Sequence, residues 1–175
     1  MRARHWVRLA VNIVNGSTPA GLGVALAGRA RLARAPDGLL AGTGYRLPVP
    51  AVPAFTMGNV IVTRRDALPS DTALFRHEAR HATQYAWCGG LLMLPLYFTA
   101  AGISWLLSGD VGAWNAFERQ AGLADGGYAS HPLRPVFVRR APETTRAGWQ
   151  EVAAGDRGLG PEPAGHAGST ASSSR

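Results

Sequence analysis

The stretch Phe75-Arg76-His77-Glu78-Ala79-Arg80-His81-Ala82-Thr83-Gln84-Tyr85 decides how the rest of the chain is read. Two histidines stand four residues apart with a glutamate directly after the first. In a helix, positions i and i+4 lie one turn apart on the same face, so two imidazoles can grip one metal ion. The intervening glutamate is then placed to take a proton from a water on that ion. The flanks agree with a helix. Ser70 or Asp71 can cap its start, no glycine or proline interrupts residues 71–88, and Gly89-Gly90 ends it. A helix over 71–88 is predicted, with Gln84 on the His77/His81 face as either a partner behind the ligands or a cap on a solvent edge. Arg76 and Arg80 read as a solvated face, and Cys88 as a small buried residue.

Two imidazoles leave a zinc-type site one protein ligand short. The metzincin continuation needs a histidine at position 87, which is Trp87, so that class is excluded. Downstream, Glu118 lies among Trp114, Phe117 and Ala121, and a carboxylate on an apolar face is costly unless paired or metal-bound. Asp110 and Asp125 sit at glycine-flanked breaks and are weaker candidates. A third helix is expected over 111–122, after an apolar stretch 91–107 and a break at Ser108-Gly109-Asp110. If three helices run up, down and up, a rise of about 1.5 Å per residue puts Glu78 and Glu118 each ~10 Å from their helix starts at 71 and 111. The two glutamates and the histidines would then share one level.

Working outward, residues 4–14 read as a short amphipathic helix packed on the domain, and Thr18-Pro19 opens another. Asn12, Asn15, Gly16 and Ser17 interrupt the apolar run that a signal peptide needs, so none is expected. Residues 29–34 alternate arginine with apolar residues, Pro36-Asp37-Gly38 signals a turn, and 39–41 resume a second arm, which together make a hairpin. Residues 47–53 carry three prolines and read as an irregular connection. Residues 58–63 form a β-branched strand. The fold expected is α+β: an N-terminal helical segment (1–28), a small β region (29–65) and three metal-site helices (71–122) in one domain of residues 1–140. Residues 141–175, rich in Gly, Pro and Ser, are expected to be a disordered tail.

The pairing of His77-Glu78-x-x-His81 with a downstream helical Glu118 resembles the gluzincin pattern of zincin metallopeptidases. The continuation to Gln84 is similar to small bacterial domains carrying HExxHxxQ. The resemblance covers about 50 residues. It implies zinc as cofactor, His77, His81 and Glu118 as its ligands, and Glu78 as general base. It implies that the strand 58–63 is the edge along which an extended peptide or protein substrate would align. Tyr128 and His131, close in sequence to Glu118, are the candidates for stabilising a transition state. No counterpart of the large helical domain of the familiar members is expected in these 175 residues.

Composition bounds the alternatives. The chain has 175 residues and 46% hydrophobic content, enough for a packed core. Its single cysteine excludes a disulfide scaffold. All 18 basic residues are arginine against 11 acids, and the charge is uneven: +8 over residues 1–65, zero over 66–140 and −1 beyond. The lack of lysine, with 22 Gly and 12 Pro, fits the codon usage of a GC-rich genome. The arginines match no recognised nucleic-acid-binding motif, so a nucleic-acid partner is not expected.

Residues 81–109 contain no Asp, Glu, Lys or Arg. Within them the 17 residues 91–107 would span ~26 Å as a helix, short of a ~30 Å hydrocarbon core. A core helix or peripheral membrane contact is expected rather than integration, with the basic N-terminus suited to an anionic membrane face. The expected location is cytoplasmic, at or in the cytoplasmic membrane. Two functions remain open on these grounds: a zinc-dependent hydrolase, or a membrane-associated structural protein whose zinc only clips two helices.

Overall fold

Pro36-Asp37-Gly38 turns the chain as its chemistry demands. It forms a single 3-10 turn with Asp37 and Gly38 both at positive φ, joining β1 (Arg31–Arg34) to β2 (Leu40–Thr43) as an antiparallel hairpin. The chain is α+β, seen in a computed structural model that describes residues 1–137. The tail expected over 141–175 lies outside the described residues.

A second hairpin follows the proline-rich connection. β3 (Ala54–Met57) pairs antiparallel with β4 (Val60–Thr63) across the two-residue turn Gly58-Asn59. Gly58 takes φ +60°, and a Cβ there would lie 2.4 Å from the Thr18 nitrogen, so the turn needs glycine twice over. β4 also pairs in parallel with β2, giving the sheet order β1-β2-β4-β3. This corrects the sequence reading in two ways. The strand expected over 58–63 begins at Val60, and it lies inside the sheet. The edge beside the motif helix is β3, which the prolines at 48, 50 and 53 concealed.

Helices cover both faces, so every residue of β4 is buried and the strand reads as a continuous apolar run. Val60 and Val62 point to α2 (Ser17–Ala27), where they pack with Ala25, Ala30 and Tyr45. Ile61 points the other way, to α3 (Ala73–Trp87), and packs with Leu39, Phe75 and Ala82. α3 begins at Thr72 rather than Ser70 or Asp71: the Thr72 hydroxyl accepts the Phe75 N–H at 3.2 Å.

The N-terminal α1 (Ala3–Val14) packs on the domain with its polar side inward. Arg8 and Asn12 are buried. The Arg8 guanidinium donates to the Asp37 carbonyl at 2.5 Å and to Asn59 Oδ1 at 3.3 Å, and burial lowers its pKa. Asn12 donates to Asn59 Oδ1 at 3.2 Å and to the Ala82 carbonyl, on α3, at 2.8 Å. Asn59 in turn donates to the Leu9 carbonyl and to Thr18 Oγ1. One turn residue thus ties α1 and α2 to the sheet.

After α3, Gly89 and Gly90 take positive φ and lead into α4 (Met93–Ser108). The helix expected over 111–122 comes out shorter. Asp110 Oδ1 accepts the N–H groups of Gly112 and Ala113, which holds that segment as turns, and α5 covers only Ala116–Ala121, capped by Asn115. Glu118 therefore stands in the first turn of its helix and reaches the histidines from there, not from part-way along a helix that starts at 111.

Candidate metal centre

Helical spacing brings His77 and His81 onto one side of α3, both buried, with their rings edge to face. Their Nε2 atoms lie 3.0 Å apart. Glu118, 1% exposed, enters from α5 with Oε2 at 3.0 Å from His77 Nε2 and Oε1 at 3.7 Å from His81 Nε2. One ligand atom from each residue lies within 4.8 Å of the other two.

The surrounding hydrogen bonds fix which atoms face the centre. His77 Nδ1 lies 3.0 Å from the Gly122 carbonyl, which can only accept, so the proton sits on Nδ1 and the Nε2 lone pair points inward. Gln84 Nε2 donates to the Phe117 carbonyl and to Gln120 Oε1, both at 2.9 Å, and this orients the amide. Its Oε1 then accepts from His81 Nδ1 at 2.7 Å, leaving that Nε2 lone pair inward too. Gln84 is thus buried behind His81 and does not cap a solvent edge.

Three electron-rich atoms facing one another in a buried space repel unless something positive lies between them. Among the described residues, Glu118 Oε2 has no hydrogen-bond partner. A proton on His77 Nε2 would satisfy one of the contacts, and a divalent cation would satisfy all of them. His, His and carboxylate are also the donor set that such a cation takes. The residues present fit a metal ion.

The electrostatics follow from the same geometry. Burial pushes the Glu118 carboxyl up, but the contacts with His77 and His81 and the Tyr97 hydroxyl outweigh it and hold it at about 2. Burial lowers His77, yet the Glu118 contact and charge prevail and its pKa is raised. Glu78 is buried beside the two histidines and outside the cluster they form with Glu118. Burial raises its pKa above the usual carboxylate range, against the pull of His81, Thr56 and His77. Its Oε2 accepts the Thr56 hydroxyl at 2.7 Å. Thr56 lies on β3, so the edge strand reaches the glutamate next to the ligands.

Several parts of the site escaped the sequence reading. Tyr97, on α4, donates to Glu118 Oε1 at 2.5 Å, and burial raises its pKa. Its only signal was a phenol in an otherwise apolar run. The loop 122–127 closes over His77: a Cβ on Gly126 would lie 2.5 Å from the imidazole, so glycine is required there. Arg80 anchors this loop, donating to the Ala121 carbonyl at 2.5 Å and to Asp125 Oδ2 at 2.7 Å. It is a clasp as well as part of an exposed face, and Asp125 is its partner rather than a ligand. Cys88 is half-buried at the end of α3.

The two transition-state candidates part company. Tyr128 stays near the centre, its ring centroid 6.1 Å from that of His77. Burial, then the charge of Glu118, pushes its pKa up to about 12. His131 does not join it. Its ring lies 4.0 Å from Asp110 Oδ2, and its carbonyl accepts the Trp114 indole N–H.

No protein-family model, curated protein or solved structure matches the chain.

Proposed function

We propose that the protein is a zinc-dependent hydrolase, most directly a metallopeptidase, with His77, His81 and Glu118 holding the metal and Glu78 as general base. The observation that carries this reading is the convergence of two inward Nε2 lone pairs and an unpartnered carboxylate oxygen beside a buried fourth residue, Glu78, that is free of the ligand set. A zinc ion held there supplies Lewis acidity and makes water easier to deprotonate.

The remaining work falls to the chain. Glu78, with its raised pKa, accepts a proton from the attacking water and returns it to the leaving amine. The Thr56 hydroxyl fixes the Glu78 carboxylate, which limits the rotamers that the base can sample. Gln84, Gly122 and Tyr97 hold the ligands in place. β3 offers the free sheet edge beside α3 on which an extended peptide could add as a further strand.

The test is a pair of variants. Glu78→Gln keeps the metal and abolishes cleavage of a peptide library, and Glu118→Ala loses the metal. If the wild type retains zinc and cleaves nothing across the library, the centre is a clip between helices and the hydrolase reading fails.

A further inference from the structure

Amphipathic helices on a globular domain turn their apolar side inward. α1 does the opposite. Its buried side carries Arg8 and Asn12, while Trp6, Val7, Ile13 and Val14 face out, with Val14 87% exposed. α4 also turns an apolar side outward: Leu96, Phe98, Ile103, Trp105 and Leu106 are all exposed, Phe98 at 67%. The residue that ends α1 meets the turn that leads into α4, since a Cβ on Gly90 would lie 2.7 Å from the Asn15 side chain. Such an extent of outward apolar side chains calls for a partner.

The charges say which partner. The start of α1 exposes Arg2 and Arg4, and no acid occurs before Asp37. At the far end of α4, the Arg134 guanidinium lies 5.4 Å from the centroid of the exposed Trp105 ring. Tryptophan beside arginine, at the end of an apolar helix, suits a lipid–water interface.

We propose that α1 and α4 seat this protein in one leaflet of a membrane containing anionic lipid, both helices lying along the surface rather than crossing it. Residues Gly90–Ser108 are long and apolar enough to cross a membrane. A crossing helix, however, would carry Tyr97 into the hydrocarbon, and with it Glu118 and the two histidines bound to that cluster. Lying in plane avoids this. The side of α4 holding Tyr97 and buried Ser104 stays on the protein, and the opposite side enters the lipid. The contact is independent of the metal chemistry. It would hold the candidate site close to a bilayer surface.

The experiment is co-flotation of the full chain with vesicles of phosphatidylcholine alone or mixed with phosphatidylglycerol, with and without metal. The wild type floats, and more strongly with phosphatidylglycerol. Leu96→Ser with Phe98→Ser lowers partitioning at least about a hundredfold, as the loss of two buried apolar side chains requires. Because that pair could disturb folding, Val7→Ser with Val14→Ser provides a second test on a separate helix, and thermal melts confirm that both proteins fold. Arg2→Gln with Arg4→Gln lowers binding to the anionic vesicles roughly thirtyfold at low salt. Failure of the wild type to float overturns the proposal, as does flotation indifferent to both serine pairs. Resistance to carbonate extraction, with protease reaching the two ends of α4 from opposite sides of the vesicle, overturns the in-plane arrangement. A dimer in vesicle-free buffer that Phe98→Ser dissolves, with no flotation, assigns the surface to a second copy instead. None of these outcomes bears on whether the centre binds zinc or hydrolyses anything.

Discussion

Replacing Gln84 separates the job of holding a ligand from that of holding the fold. Its Oε1 is the acceptor that keeps the His81 proton on Nδ1, and its Nε2 joins α3 to α5 through Phe117 and Gln120. In Gln84→Ala the His81 ring can turn and change tautomer. Losing a partner of this kind costs about tenfold to a hundredfold in metal affinity, equivalent to ~1.4 to 2.7 kcal/mol. The lost link to α5 costs about 1–3 kcal/mol of stability besides, because a buried donor and its acceptors part. Gln84→Glu divides the two effects: the carboxylate still accepts from His81, so metal stays bound, but it has no N–H for Phe117 and Gln120, so stability falls. Competition with a chromophoric zinc chelator reads affinity, and urea unfolding of the metal-free proteins reads stability. If Gln84→Ala binds zinc as tightly as the wild type, or if both variants weaken binding equally, Gln84 does not orient a ligand and the tautomer argument is wrong.

Other substitutions probe separate links. Tyr97→Phe removes the hydroxyl on Glu118 Oε1 and should weaken zinc binding severalfold by the same chelator assay while the phenyl ring keeps its packing. Asn59→Ala leaves Arg8, Asn12 and Thr18 short of buried partners and should cost about 2–4 kcal/mol in urea unfolding; an unchanged midpoint would show that α1 is not held by this network. Arg80 keeps the Asp125 carboxyl below the usual aspartate range through their hydrogen bond. Because that pKa is depressed on folding, the clasp is intact above the ordinary aspartate value and is lost as pH falls through the lowered one. Arg80→Gln should therefore weaken zinc binding at neutral pH, and hydrogen exchange in residues 122–127 should rise.

Much of the architecture could be read from residue pattern because local chemistry and final structure agree. The Pro36-Asp37-Gly38 turn, the β-branched run ending at Thr63 and the uninterrupted helix around His77 each form what their composition favours. The convergence of His77, His81 and Glu118 was legible for a related reason, since a carboxylate between Trp114, Phe117 and Ala121 needs a partner. What failed depended on contacts distant in sequence. β3 is four residues long behind three prolines, and it becomes a strand only because β4 offers an edge. The start of α5 is delayed by Asp110, whose side chain takes the N–H groups that a helix would have used. Arg80 is exposed as read, but its clasp on Asp125, 45 residues away, left no local signal. The amphipathic helix read over 4–14 forms as α1 and packs on the domain, but which side it buries is settled by distant contacts, because Arg8 and Asn12 meet acceptors from the 37, 59 and 82 regions.

The central claim is that the buried His77, His81 and Glu118 side chains form a metal centre, and elemental analysis of the purified full chain tests it most directly. The account predicts about one zinc per chain, with His77→Ala, His81→Ala and Glu118→Ala each losing it and Glu78→Gln retaining it. A wild type that stays metal-free when supplied with saturating zinc, yet folds with the same stability as its Glu118→Ala variant, would contradict it.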